Sequence, residues 1–255
     1  MPKFRQVHVW PDTGFAERPW NDDPDVDAFA RISRGICEAY SQALPGLALV
    51  ARASVMRLDA DPDASRRPRP ALDAPLSDMV KVSARFIGAG QEHGWVGVPV
   101  GFATLPTDQK RLLSLRIVHH GVLELAQALG WDPGVVTGAL HHVEARAFRY
   151  WSEGPWKSAP DRRHRARAVA SISDDGLGHV HVEVVTAAGE LIIRSEDFDA
   201  ADHGDDLVRA CKALRWDGSA RVSMDPFGIT WTDQYRQTVI DLYGGQTGVP
   251  HSAPR

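Results

Sequence analysis

A chain of 255 residues with 43% hydrophobic and 24% charged side chains holds enough apolar material for one large core or two smaller ones. Its formal net charge of −4 is small for this length, which argues against a general polyanion binder and leaves room for a local basic patch only. The two cysteines, Cys37 and Cys211, are too few for a disulfide framework and sit in amphipathic stretches, so both are expected as buried thiols.

The opening residues, MPKFRQVHVW, lack the apolar core of a secretory signal, and no apolar run approaches the length of a membrane span. A cytoplasmic protein without membrane association is expected. Residues 3–10 alternate and predict a strand, ended by Pro11-Asp12-Thr13-Gly14. Asp23 followed by Pro24 supplies an N-cap and a first-turn proline. The helix they start should reach about residue 43, burying Phe29, Ile32, Ile36, Tyr40 and Ala43, and Pro45-Gly46 should end it. Residues 47–58 predict a strand, 59–74 a loop rich in proline and arginine, and 79–87 a second strand. Residues 88–101 contain five glycines and Pro99, and read as a loop with a short irregular strand.

Residues 105–151 carry the longest unbroken helical periodicity. Thr107 can cap a first helix whose apolar stripe is Leu112, Leu115, Val118, Val122, Leu125, Ala126 and Leu129. Gly130 is placed to end it in a left-handed conformation, and Asp132-Pro133 to start a second helix. That second helix should bury Val136, Ala139, Leu140, Val143, Ala147 and Tyr150. So short a turn requires an antiparallel hairpin. Strands at 165–173, 179–186 and 190–196 then form a meander. A helix near 204–214, a strand at 220–224, a last helix from Thr232 to about Tyr243 and a frayed tail complete the chain.

These elements predict an α+β fold, with largely antiparallel sheet segments flanking a central antiparallel helical hairpin and a three-stranded C-terminal meander. The expected divisions are 1–104, 105–151, 152–243 and a tail at 244–255, which could still share one compact domain.

Three stretches could carry chemistry. His179-Val180-His181-Val182-Glu183 places two histidines and a carboxylate on one strand face, a ligand set for Zn²⁺ or another divalent metal. The same alternation is explained by charge pairing across strands, with Glu183 opposite Arg194 and His181 near Glu196. Gly88-Ala89-Gly90-Gln91-Glu92-His93-Gly94 follows a strand like a dinucleotide-binding turn. No helix begins there to receive a pyrophosphate, so that reading fails and His93 is left as a possible catalytic group on a glycine-rich loop. Of the histidine pairs His119-His120 and His141-His142, only His119 falls inside the apolar arc of its helix, where it needs a polar partner. The densest basic–aromatic patch joins Trp151 and Trp156 to Arg162, Arg163 and Arg165, and could hold a partner protein or an anion.

Two functional classes follow. The first is an intracellular protein-interaction module, immunity-like or accessory, whose eight tryptophans include several in loops (Trp20, Trp95, Trp131, Trp156) and serve as anchors. The second is a metal-assisted or acid–base enzyme acting on a small molecule through the HxHxE strand, with His93, His119 or Glu183 in catalysis and a divalent metal on His179, His181 and Glu183. Nucleic acid is not an expected partner.

Overall fold

A computed structural model describes residues 2–10, 22–60, 69–88, 90–201, 203–226, 238–241 and 245–247. The fold is α+β, with five α-helices and three sheets among those residues. The chain divides into two units, the first formed by Met1–Tyr150 with Ser173–Gly176 and the second by Trp151–Ile172 with Leu177–Arg255. No helix among the described residues is long and apolar enough to cross a membrane.

The first unit contains β1 (Gln6–Trp10), α1 (Pro24–Leu47), β2 (Val55–Ala60), α2 (Leu76–Met79), β3 (Val80–Gly88) and β4 (Gln91–Val96), then α3 (Thr107–Leu129) and α4 (Pro133–Ala145). Its sheet order is β1-β2-β4-β3. β1, β2 and β4 run parallel and β3 pairs antiparallel with β4. These two parallel pairings are the departure from the antiparallel expectation; every other strand pairing described is antiparallel.

Alternation decides which side of this sheet is core. Val7, Val9, Met56, Leu58, Val80 and Val96 are buried on one face, against which α1 and α3 pack. Both sheet edges are closed by helix side chains. Ser41 Oγ accepts from the Val7 amide at 3.1 Å and Glu124 Oε2 from the Val82 amide at 2.8 Å. Unpaired edge amides would otherwise invite another strand.

Several boundaries differ from those expected. Asp23 caps α1 through the amides of Asp25 and Val26, but the helix continues through Pro45 to Leu47, with Ala48 as its C-cap at φ 52°. Proline there removes one donor in the last turns, while buried Tyr40 and Leu44 keep those turns on the core. Residues 47–54 form no strand beyond a bridge from Lys3 to Val50. Thr107 is the first residue of α3 rather than its cap, and Pro106 in the cap position offers no side-chain bond. Gly130 (φ 70°) and Asp132 terminate and start the hairpin helices as their sequence implies. α4 stops at Ala145, because Ala147 and Phe148 take positive φ, and Tyr150 is buried outside the helix.

Arg69 fastens the start of α1 to the segment after β4. It donates to Asp23 Oδ2 at 2.8 Å, Asp25 Oδ2 at 2.7 Å and the carbonyls of Val98 and Pro99. Asp25 also accepts from the amides of Gly101 and Ala103 at 3.0 and 2.7 Å. Burial works against its ionisation, but the two amides and then Arg69 outweigh it and hold the carboxyl below its usual pKa. A depressed folded-state pKa means this stabilisation is complete above the unfolded value, about 3.9, and is lost as pH falls through the folded one. Asp25→Asn is therefore expected to lower stability at neutral pH and flatten its fall below about pH 4, in urea titrations across that range. An acid limb as steep as in the parent chain would refute this assignment.

The second unit contains β5 (Trp151–Glu153), β6 (Lys157–Ser158), β7 (His164–Ile172), β8 (Gly178–Thr186), β9 (Leu191–Arg194), β10 (Phe198–Ala200), α5 (Gly204–Ala213), β11 (Arg215–Asp217), β12 (Arg221–Met224), β13 (Thr238–Asp241) and β14 (Gly245–Thr247). The predicted meander is the centre of its six-stranded sheet, with β7 and β8 paired along their whole length. Ala166, Ala168, Ala170, Val180, Val182 and Val184 form the buried face, and α5 packs on these strands with Leu207, Ala210 and Cys211. A second sheet runs β11-β12-β13-β14. The last predicted helix is contradicted where it can be compared: residues 238–241 pair with β12 as a strand. Their Thr-Val-Ile composition suits a strand at least as well as a helix. Residues 245–247 of the predicted tail form β14, while Thr232 and Trp20 lie outside the described residues.

Candidate functional site

Register, more than any single motif, assembles the most elaborate polar group in the first unit. β1 aligns His8 with Arg57 and Trp10 with Asp59. β4 aligns His93 with Arg57 and Trp95 with Asp59. Lys81 and Ser83 of β3 fall beside Trp95 and His93. All eight therefore project from the sheet face turned away from the apolar one.

Their contacts form a chain across three strands. The Arg57 guanidinium lies 4.3 Å from the Trp10 ring centroid, and its Nε donates to Asp59 Oδ1 at 2.5 Å. The other Asp59 oxygen is 2.6 Å from His93 Nε2, and the His93 ring meets Trp95 edge-on at 4.5 Å. His93 is close to fully buried, whereas Trp10 keeps 37% of its surface exposed. Asp59 thus orients both a guanidinium and an imidazole, and the two tryptophans bracket them. This group can offer the Trp10 ring and the Arg57 cation to one partner without first ordering those side chains.

His93 does not lie on a glycine-rich loop. It is the third residue of β4, whose neighbours are β2 and β3, and its glycine is a packing requirement. A Cβ at Gly94 would meet Leu58 Cδ2 at 2.8 Å and the Lys81 carbonyl oxygen at 3.2 Å. Trp95 is likewise a strand residue and not a loop anchor.

In the second unit, His179, His181 and Glu183 do share one face of β8, as alternation implies. His181 Nδ1 lies 3.2 Å from Asp197 Oδ1 and its Nε2 3.7 Å from Glu183 Oε1, while His179 faces Asp199 at 3.7 Å. Glu183 accepts from Arg167 Nε at 2.8 Å, Arg167 also binds Glu153, and Arg194 stands opposite Glu183 in register. Among the described residues no group of three or more His, Cys, Asp or Glu side chains is arranged to hold a metal ion. The face is a ladder of alternating charge. Trp156 adds its ring to this ladder, with the Arg167 guanidinium 4.6 Å and that of Arg165 5.8 Å from its centroid. Trp151 stands on β5, half exposed, and Arg162 and Arg163 occupy the β6–β7 connection.

His119 has the partner its position demands. Its Nδ1 lies 2.9 Å from the Tyr40 hydroxyl of α1. Burial first, then the nearby His120 and His141, push its pKa down, so the ring is neutral at neutral pH. Burial pushes the Tyr40 hydroxyl far above its usual range, so it stays protonated. The pair is a satisfied polar contact between α1 and α3. Cys37 and Cys211 are buried thiols, and burial raises both pKa values, that of Cys211 to about 11, away from reactive thiolate.

Comparison of the chain with protein-family models, with characterised proteins and with solved structures finds no match.

Sequence reading missed Trp10, Arg57 and Asp59. The signal available was the i, i+2 repetition of polar or aromatic pairs in three strands, His8/Trp10, Arg57/Asp59 and His93/Trp95.

Proposed function

We propose that the protein is a protein-interaction module, immunity-like or accessory in type, and that it engages its partner through the Trp10–Arg57–Asp59–His93–Trp95 face of the first unit. The observation that carries this reading is the Arg57–Asp59–His93 chain between two tryptophans, on the sheet face turned away from the helices. Tryptophan and arginine are the side chains that most often dominate binding energy at protein interfaces. Here the internal ion pair holds the arginine in place beforehand, so less side-chain entropy is lost on binding.

Co-expression of the tagged chain with the products of adjoining genes tests this. One partner should co-purify in stoichiometric amount, and Arg57→Ala should release it while an Arg194→Ala control in the second unit retains it. Retention by Arg57→Ala would contradict the proposal.

The 2.6 Å contact between His93 and Asp59 favours a second reading, acid–base chemistry on a small molecule, since a carboxylate commonly orients a working imidazole. In that case His93→Gln abolishes turnover of the small molecule. The metal-assisted version on His179, His181 and Glu183 has its own test in elemental analysis. Stoichiometric zinc, iron or manganese that disappears in the His179→Ala/His181→Ala variant would overturn a purely interaction-based account.

A further inference from the structure

The connection between β6 and β7 concentrates positive charge in a way that the rest of its sheet does not. Arg162, Arg163 and Arg165 fall within four residues. Farther along the same strand Arg167 is neutralised by Glu153 and Glu183. By contrast, the side chains of Arg162, Arg163 and Arg165 form no ion pair with any described residue. The connection itself is well held: Ala159 N donates to the His164 carbonyl and Arg162 N to the Ala159 carbonyl, both at 2.9 Å, and Asp161 Oδ1 accepts from Arg163 N at 3.0 Å. Its geometry places Arg162 at φ 59°. That is a left-handed conformation which glycine adopts freely and which costs other residues about 1 kcal/mol or more. Arg162 therefore holds a backbone conformation that glycine would favour, and its side chain, like that of Arg163, is exposed.

We infer that this arginine connection is a second docking surface, and that it takes an acidic segment of a protein partner. Guanidinium forks match carboxylates with two parallel hydrogen bonds, and three unneutralised forks in four residues suit a short run of Asp and Glu side chains. A polynucleotide fits less well. Arg167 already covers a face of the Trp156 ring, which closes it to a stacking base.

Fluorescence anisotropy of a labelled octaglutamate peptide with the full chain tests the inference, with octathymidylate as comparator. The peptide should bind at low ionic strength, and R162A/R163A/R165A should weaken it by about tenfold or more. The triple lysine variant should recover only part of that loss, because charge returns without the fork. Arg162→Gly should weaken binding several-fold without lowering the melting temperature, since glycine relieves the backbone. Trp10→Ala should leave peptide binding unchanged, which keeps this surface distinct from the one proposed for the first unit. No binding at low salt, equal binding by the triple alanine variant, a lowered melting temperature in Arg162→Gly, or tighter binding of octathymidylate would each overturn it.

Discussion

Glu92→Ala is expected to destabilise the first unit by about 2–4 kcal/mol, because it leaves two backbone donors without their acceptor and takes the counter-charge from the partly exposed Arg52. Glu92 is completely buried. Its Oε1 accepts from the Arg52 amide at 3.0 Å, Arg52 Nε at 3.2 Å and the Ala53 amide at 3.3 Å, and its Oε2 from Arg52 Nη2. One carboxylate therefore satisfies two backbone donors in the turn before β2 and neutralises the arginine beside them. Alanine would leave those amides unpaired and a guanidinium without its counter-charge. A domain of this size should lose on the order of 10 °C in melting temperature. Glu92→Gln, which keeps an acceptor, should lose less. Thermal melts that show the two variants equal to each other, or both equal to the parent, would refute this role for the carboxylate.

Gly178→Ala should be at least as damaging to the second unit, by about 3 kcal/mol or more. Gly178 opens β8 and pairs with both β7 and β10. A Cβ there would be driven into the carbonyl oxygen of Ala201 and would also meet Leu207 Cδ2 at 3.3 Å. The obstacle is backbone rather than a flexible side-chain tip, so relief requires β10 to separate from β8. Hydrogen exchange should then show early loss of protection at 198–200 and 178–180, with the first unit unaffected. Unchanged protection in those segments would mean that the close approach is not required.

What could be read in advance was local. Asp23-Pro24, Gly130 and Asp132-Pro133 fix helix ends through single side chains or one backbone conformation, so their effect is visible in a few consecutive residues. The meander was legible because β7, β8 and β9 are sequential neighbours joined by short turns. β4 was not. Its glycines suggested a loop with only a short irregular strand, yet Gly94 is small because Leu58 and the Lys81 carbonyl crowd it, a fact that depends on strands distant in sequence. The candidate site was hidden for the same reason. Each of β1, β2 and β4 shows one polar or aromatic pair, and only a parallel register brings Trp10, Arg57, Asp59 and His93 together. His119 shows the intermediate case. Its need for a partner follows from its own helix, but Tyr40 as that partner follows only from the packing of α1 against α3.

The two units offer different surfaces, and the functional account rests on the first. Its most direct measurement is calorimetric titration of the purified partner into the parent chain and into Trp10→Ala. Trp10 keeps 37% of its surface exposed and stacks on Arg57, so truncation costs some stability, and both proteins are titrated well below the variant's melting temperature, where each is folded. The account predicts a loss of about tenfold or more, the signature of an interface anchor. Equal affinity for the folded parent and the folded variant would contradict it.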